Sequence, residues 1–349
     1  MKQEGTANRT MYFDCLRLAA TLAVIILHVS GQNWSAVGVS TFEWQVFNVF
    51  DSIVRWSVPI FVMISGALFL GGQQSISRIY RKNIVRIATA FVFWSAAYAL
   101  LAFFNGAAPK GVVFQFITGH YHMWFLYMIV GLYMLVPLLR PIVQSASLTK
   151  YYMALAFVFT MFLPQAISLL SLRSPNLSAT LNQALGNLKL TFGMSGYFIA
   201  GYYLSKNTLP KKWTRLIYVL GLAGFFATIC LSAIVSHHLQ AASDMFYGYL
   251  TVNVLLESLA VFVFAKEHLQ LSKASVRCKA MIQRFAQYSF GAYLVHAMIL
   301  ELLDSLFSFN TLSMNPLLSV PAITGTVLVV SFALSALIHQ IPVLKKYIV

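Results

Sequence analysis

The chain has 349 residues, of which 59% are hydrophobic and only 9% are charged. Soluble domains carry about 25% charged residues, so this composition, with a mean hydropathy of +0.74, excludes a soluble globular domain and indicates an integral membrane protein. The formal net charge of +15 would suggest a nucleic-acid ligand in a soluble chain. In a membrane protein, positive charge marks the cytoplasmic side instead, and no nucleic-acid partner is expected.

Apolar runs of about 20 residues predict about ten transmembrane helices, that is, a single all-α polytopic membrane domain over residues 1–349. The predicted spans lie near residues 11–30, 45–70, 84–104, 121–141, 151–171, 188–205, 214–236, 247–265, 285–307 and 316–339. The second run is overlong and is interrupted by Asp51 and Arg55, so a break or a tilt is expected there. An even number of spans places both termini on the same side of the membrane.

The positively charged residues identify that side. All but four of the 24 lysines and arginines lie on the face that carries both termini; Lys110, Arg173 and Lys189 lie on the other face, and Arg55 lies inside a span. The positive-inside rule therefore predicts that both termini are cytoplasmic. The expected location is the bacterial cytoplasmic (inner) membrane, as a multi-pass protein in contact with membrane lipids.

The first predicted span contains the segment DCLRLAATLAVIILH, residues 14–28, which carries ionisable groups on one helix face. Arg17 and His28 are about three turns, or roughly 16 Å, apart, and Asp14 lies one turn before Arg17. Because of these charges and the lack of a small-residue cleavage site, the segment is expected to remain as a span rather than be removed as a signal peptide. An ion pair with snorkelling to the interface would account for Asp14 and Arg17. His28 is expected to face a cavity or a polar partner.

Further polar residues fall in the outer half of the predicted spans, at the depth of His28. His122 stands in GHYHMWFLY, and His296 stands in YSFGAYLVHAMIL with Glu301 just beyond it. Asp51 and Arg55 are four residues apart and are interpreted as a self-contained pair. The spacing of His120 and His122 suits a metal ligand pair, but no third ligand is identifiable and no metal is expected.

The inner half carries a cluster of cations in SRIYRKNIVRIA: Arg78, Arg81, Lys82 and Arg86. The positive-inside topology and contact with anionic lipid headgroups would account for such a cluster without any bound ligand. It would also suit a cationic site for phosphates, since guanidinium groups bind phosphate in a bidentate manner. Together with Arg17, it favours an anionic cytosolic ligand whose far end points toward His28.

The residues themselves leave two functions open. One is a membrane acyltransferase. It would bind the phosphates of a cytosolic acyl-CoA at the inner cations, and a histidine would act on an acceptor hydroxyl that comes from the outer side. The other is a proton-coupled secondary transporter or flippase of a glycan or anionic metabolite, with the histidines and carboxylates as a proton relay. Ser65 and Gly66 in FVMISGALF are interpreted as a close helix-packing position rather than a nucleophile.

Five stretches in order resemble the membrane-bound acyltransferase-3 family over essentially the whole chain. They are Asp14-x-x-Arg17 followed by His28, the segment SVPIFVMISGALFL, the basic start of span three, HMWFLYMIVGLYMLVPLL and YSFGAYLVHAMIL. Within the family, the chain resembles the O-acetyltransferases of enterobacterial common antigen and of similar surface glycans. The resemblance implies an O-acyltransferase that moves an acyl group, usually acetyl from cytoplasmic acetyl-CoA as co-substrate, onto a hydroxyl of a surface polysaccharide or lipid-linked glycan.

The resemblance also assigns roles to residues. It implies that Arg17 and His28 are essential. Because a positioned imidazole can take the proton of a poorly nucleophilic glycan hydroxyl, His28 is interpreted as the general base, with an acyl-histidine intermediate as a variant. It makes Arg81 or Lys82, Arg86 and the neighbouring Arg78 the donor site. Candidate acceptor-site or proton-shuttle residues are His122, Trp124, His296, Asp14 and Glu301.

Two features depart from the family pattern. Many members carry a glutamate five residues after the tryptophan of the fourth span, where this chain has Ile129 after Trp124. No appended esterase-like domain is expected either, so glycan handling is expected to fall to short outer loops or to another protein. The choice between acetyl and succinyl as the transferred group stays open, as do the acceptor sugar and the oligomeric state.

Overall fold

The computed structural model describes residues 10–72, 74–186 and 192–349. Within these ranges the regular secondary structure is helical and contains no strand. Eight helical segments, with Phe42–Leu70 and Pro109–Gln144 each counted as one, are long and apolar enough to cross a membrane. The protein is therefore an all-α polytopic membrane protein, as its sequence predicts. Lys2, Arg9 and Lys189, which entered the topology prediction, lie outside the described residues.

Helices in the described ranges follow one another with short connections. They are α1 (Met11–Gly31), α2 (Phe42–Ser52), α3 (Ser57–Leu70), α4 (Ile76–Phe104), α5 (Pro109–Thr118), α6 (Trp124–Gln144), α7 (Ala146–Ser171), α8 (Pro175–Gly186), α9 (Ser195–Lys206), α10 (Lys211–Leu239), α11 (Val252–His268), α12 (Val276–Phe307), α13 (Pro316–Ile338) and α14 (Pro342–Tyr347). The spans predicted at 188–205 and 247–265 correspond to α9 and α11, which have 12 and 17 residues. We call the end of the bundle near Arg86 the inner end and the end near His120 the outer end, after the predicted topology.

The overlong second run is broken where the sequence predicts. Helix α2 ends at Ser52 and α3 begins at Ser57, and Asp51 forms an ion pair with Arg55 across the break. Arg55 also donates from Nη1 to the carbonyl oxygen of Tyr247 at 3.3 Å. Both charged side chains are thereby paired inside the bundle, where an unpaired charge would be costly.

Helix α1 lies at the centre of the bundle. It packs against α2, α3, α11, α12 and α13, so a polar face on α1 is turned toward other helices. Apolar side chains fill the spaces around it in an inner and an outer cluster. This central position explains how ionisable residues on α1 can lie next to residues from distant parts of the chain.

Helices α3 and α9 approach each other closely at two glycines. A methyl group added at Gly66 would lie 1.7 Å from the carbonyl oxygen of Phe198, and one added at Gly201 would lie 2.1 Å from that of Met63. Backbone atoms cannot retreat as the end of a side chain can, so no larger residue fits. The close-packing interpretation of Gly66 is confirmed.

Replacing Gly66 by alanine is expected to destabilise the protein by about 3 kcal/mol or more, because the added methyl forces α3 and α9 apart. Thermal unfolding of purified protein in detergent measures the effect. Gly131→Ala is the matched control: Gly131 lies within α6 with nothing within 4 Å of the added methyl. Equal melting temperatures for the two variants would contradict the packing account.

Candidate active site

Two cavities enter the bundle from its opposite ends and are separated by a layer of histidines. The inner cavity has a volume of about 470 Å³ and is lined by both Arg17 and Arg86. The outer cavity has a volume of about 700 Å³ and is lined by His28. Helix α1 thus contributes Arg17 to one cavity and His28 to the other, and its ionisable face connects the two.

Cations converge on the inner cavity from three helices. Arg17 comes from α1, Arg86 from α4 and Lys345 from α14. Arg86 follows a π-helical stretch, Ile79–Ile84, and its guanidinium donates to the carbonyl oxygen of Val349. Its buried Nε has no hydrogen-bond partner among the described residues, so Arg86 retains a free donor in the cavity wall.

A histidine next to these cations adds hydrogen-bonding capacity without charge. His339 follows the end of α13 and lines the inner cavity. Burial lowers the pKa of His339, and the nearby charges of Lys345 and Arg86 lower it further against the opposing effect of its hydrogen bond to Ser335. His339 is therefore neutral at pH 7, and the cavity's positive charge comes from Arg17, Arg86 and Lys345.

The three other predicted donor-site cations lie elsewhere. The side chains of Arg78, Arg81 and Lys82 are exposed and do not line the inner cavity. Lys345 and His339, which were not predicted as donor-site residues, line it instead. Their positions depend on how the end of the chain folds back against α4: Thr89 and Trp94 donate to the carbonyl oxygens of Tyr347 and Ile348 at 2.9 and 3.2 Å.

The part of the inner cavity nearest the histidines is apolar. Val24 lies one helical turn before His28, and Val58, Phe125 and Tyr293 complete the wall there. Ile129, at the position where many members of the resembling family have a glutamate, also lines this cavity. The cavity is thus cationic at its inner mouth and apolar at its far end.

Three histidines form the layer between the cavities. The ring centroids of His28 and His296 are 5.1 Å apart, those of His122 and His296 are 5.0 Å apart, and those of His28 and His122 are 6.3 Å apart. Tyr293, whose ring reaches the inner cavity, donates its hydroxyl to the carbonyl oxygen of His122 at 2.6 Å. Among the described residues, neither ring nitrogen of His28 has a hydrogen-bond partner.

A hydrogen-bond chain determines which nitrogen of His122 is free. Glu301 lies 2.7 Å from Nε2 of His120, and Nδ1 of His120 lies 3.1 Å from Nδ1 of His122. An ionised Glu301 only accepts, so His120 donates from Nε2 and accepts at Nδ1. With a neutral His120, His122 carries its proton on Nδ1, and its buried Nε2 has no hydrogen-bond partner within the described chain.

Local structure explains the position of His120. Gly119 ends α5 with φ +75° and ψ 171°, a backbone conformation that glycine adopts readily. A methyl group there would also lie 2.7 Å from the ring of Phe91. The turn delivers His120 against Tyr98, whose ring stacks on the imidazole at 4.2 Å.

His296 presents a lone pair in the same way. Its Nδ1 donates to the carbonyl oxygen of Tyr293, so its other nitrogen, Nε2, is unprotonated when the ring is neutral. This Nε2 is fully buried and finds no partner in the described ranges. The His28 ring therefore lies beside two imidazoles, His122 and His296, that each offer an acceptor nitrogen.

The remaining candidates lie outside the two cavities. Trp124 stacks on Tyr249 at 5.7 Å, and Asp14 is buried beside Arg17, at 3.2 Å from its guanidinium. Neither lines the inner or the outer cavity. His120 was not predicted as a site residue, because the His-x-His spacing suggested a role for it only as half of a metal ligand pair.

A family model described as an acyltransferase domain matches residues 11–336 of this sequence. No protein of curated function and no solved structure matches it. Within the described ranges, no group of three or more His, Cys, Asp or Glu side chains is placed to hold a metal ion.

Proposed function

The chain belongs to the acyltransferase-3 family of membrane acyltransferases, and on that basis we propose that it transfers an acetyl group from cytoplasmic acetyl-CoA to a hydroxyl of a surface polysaccharide or lipid-linked glycan outside the membrane. The observation that carries the proposal is the position of His28, between a cationic inner cavity and an acidic outer one. The nearer likeness to surface-glycan O-acetyltransferases remains a prediction.

The inner cavity suits the donor. The phosphates of CoA would lie at the mouth against Arg17, Arg86 and Lys345, and the uncharged pantetheine arm would extend toward the histidines. Guanidinium groups bind phosphate oxygens with two parallel hydrogen bonds, which fixes orientation as well as providing attraction. The partly unpartnered guanidinium of Arg86 is the group best placed for this role.

The far end of the inner cavity favours acetyl over succinyl. Val24, Val58 and Phe125 line the cavity there and offer no partner for a second carboxylate. Burying an uncompensated carboxylate among apolar side chains would be costly. The acyl group is accordingly proposed to be short and uncharged.

The chemical step is proposed to use His28 as general base. An acceptor hydroxyl enters through the outer cavity, His28 takes its proton, and the hydroxyl oxygen attacks the thioester carbonyl. The carbon–sulfur bond then breaks, and the CoA thiolate takes the proton from His28, so the products are an O-acetyl ester and free CoA. The open nitrogens of His28 are what such a base requires.

The neighbouring imidazoles would stabilise the charge that develops on His28. The buried Nε2 atoms of His122 and His296 have no hydrogen-bond partner in the described ranges, and as neutral acceptors they would favour a positive charge on the neighbouring His28 ring. Glu301 and His120 act through His122 as positioning residues, because they hold its proton on Nδ1. This arrangement resembles a carboxylate that orients a catalytic imidazole.

Glu301→Gln is expected to lower kcat about tenfold or more, since an amide no longer fixes the tautomer of His120 and hence of His122. The KM for acetyl-CoA should stay unchanged, because Glu301 lies on the outer side. Steady-state kinetics of the purified enzyme in nanodiscs measure both. The matched control is Glu43→Gln, an outer-end carboxylate at the start of α2. A rise in KM without a fall in kcat would contradict the positioning role.

Incubation of the purified protein in nanodiscs with ¹⁴C-acetyl-CoA and a mixture of neutral methyl glycosides tests the proposal. We expect labelled O-acetyl glycosides, and a lower rate with succinyl-CoA. Failure to bind or consume acetyl-CoA would overturn the proposal and favour the transporter alternative, which proton-coupled flux in liposomes would then test.

A further inference from the structure

The outer cavity carries more negative charge than an acyl transfer step requires. Asp51, Asp244, Glu301 and Asp304 line it, and among its described lining residues Arg55 is the fixed positive charge. Arg55 is already paired with Asp51. Three carboxylates therefore face the space into which the acceptor must enter, without a cation of their own in the lining.

The wall of this cavity also contains buried polar atoms without partners. Asp51 is 2% exposed, and its Oδ1 accepts no hydrogen bond within the described chain. The indole nitrogen of Trp34 and Nε of Arg55 are buried and unpartnered in the same sense. Buried polar groups are nearly always hydrogen-bonded in native proteins, so these atoms indicate a polar ligand or water in the cavity.

Two aromatic rings complete the wall. Trp34 and Tyr247 both line the cavity, with ring centroids 5.3 Å apart and planes at 45°. Tyr247 is 2% exposed and the Arg55 guanidinium lies 4.0 Å over its ring, so the half-buried ring of Trp34 is the one that can pack against the apolar face of a sugar. The carboxylates accept hydrogen bonds from the sugar hydroxyls. A hydroxyl-rich ligand without negative charge satisfies every feature of this surface.

A second hollow adjoins the outer cavity beside α5. Its volume is about 640 Å³, and it shares Asn105, Tyr121 and Glu301 with the lining of the outer cavity. Because the two spaces share these lining residues, together they offer room for more than one sugar of a glycan chain.

We propose that the outer cavity binds an uncharged sugar of the acceptor glycan, and that Asp244 and Asp304 exclude sugars that carry a carboxylate or phosphate. The inference deepens the proposed function and rests on it for the role of the bound sugar. The binding preference itself does not depend on the donor. A charged cleft with apolar walls repels a ligand of like charge more strongly than an open surface does.

Two probes test this preference: methyl β-glucoside and methyl β-glucuronide, which differ by a carboxylate in place of a hydroxymethyl group. Binding is measured by saturation-transfer NMR without acetyl-CoA, with the protein in phosphatidylcholine nanodiscs so that the lipid adds no net charge. We expect the glucoside to bind at least about tenfold more tightly than the glucuronide. Added salt should reduce this difference in affinity, because it screens the charges.

Asp244→Asn and Asp304→Asn should each reduce the difference in affinity between the two glycosides about threefold, because each should strengthen glucuronide binding. The Asp244 side chain is exposed and takes part in no hydrogen bond or ion pair within the described residues, whereas Asp304 accepts from Asn310 at 2.9 Å. The Asp244 variant therefore keeps the test valid if the other fails to fold. Glu43→Gln is the control and should change nothing.

Equal affinities for the two glycosides, a preference that neither aspartate affects, or no binding of either glycoside would each overturn the inference. The proposed function has a separate readout. If the glucoside binds with the expected preference but never receives label from ¹⁴C-acetyl-CoA, then the acyl-transfer proposal fails while the binding preference of the cavity stands.

Discussion

His28→Ala is expected to abolish acyl transfer while leaving donor binding intact. Loss of a positioned general base lowers rates by about 10²- to 10⁴-fold, and the ring of His28 contacts His296 and Tyr121 but not the cationic end of the inner cavity. Initial rates of label transfer give the first quantity, and equilibrium binding of ¹⁴C-acetyl-CoA gives the second.

The control for this substitution is His238→Ala. His238 is an exposed histidine in the last turn of α10, so its loss removes an imidazole at the outer end without touching the histidine layer. Transfer at the wild-type rate by a correctly folded His28→Ala protein would remove His28 from the mechanism. His122, whose free nitrogen belongs to the same layer, would then be the next candidate.

Arg86→Ala is expected to weaken acetyl-CoA binding about 10- to 100-fold, since a hydrogen bond to a charged group contributes about 1.5–3 kcal/mol. Arg86→Lys should recover only part of the loss, because an ammonium group cannot make the bidentate contact. Equilibrium dialysis of the purified protein in nanodiscs measures the dissociation constants.

Arg81→Ala provides the matched comparison. Arg81 belongs to the π-helical stretch just before Arg86, but its side chain is exposed and lies outside the cavity lining. We expect no change for Arg81→Ala. If the two alanine substitutions weaken acetyl-CoA binding equally, then the donor binds the exposed cationic surface rather than the inner cavity, as the resemblance alone would allow. Thermal unfolding checks that loss of the Arg86 contact to Val349 has not loosened the fold.

The helical architecture could be read from the sequence because lipid imposes a simple requirement. A spanning segment must satisfy its backbone internally and present apolar side chains, which leaves long apolar runs as a signal. The break between α2 and α3 could be predicted for the same reason, since Asp51 and Arg55 interrupt such a run. Apolar runs predicted spans at α9 and α11 too, but they did not indicate that these helices are only 12 and 17 residues long.

The candidate site could be predicted only along single helices. Helical periodicity places Arg17 and His28 on one face of α1, and both line cavities in the structure. Periodicity does not tell which distant residues meet that face. Glu301 and His120 are 181 residues apart in the chain, and only the folded bundle brings them together.

Charge patterns were similarly ambiguous without the fold. From the sequence, Arg78, Arg81, Lys82 and Arg86 are equally good candidates for the donor site. In the structure, only Arg86 among them lines the inner cavity. Glu257, which lies in the middle of a predicted span, is bonded to Thr228 away from both cavities. Burial of a charged residue therefore indicates a partner, but it does not distinguish a structural partner from a ligand.

In the proposed reaction, the acyl group passes from a donor bound at the inner end to an acceptor at the outer end. Proteoliposomes that enclose neutral methyl glycosides, with ¹⁴C-acetyl-CoA supplied only outside, test it most directly. Molecules whose inner end faces outward should produce labelled O-acetyl glycoside in the lumen, and His28→Ala should produce none. Label on glycosides only when donor and acceptor share one compartment would contradict transfer through the histidine layer.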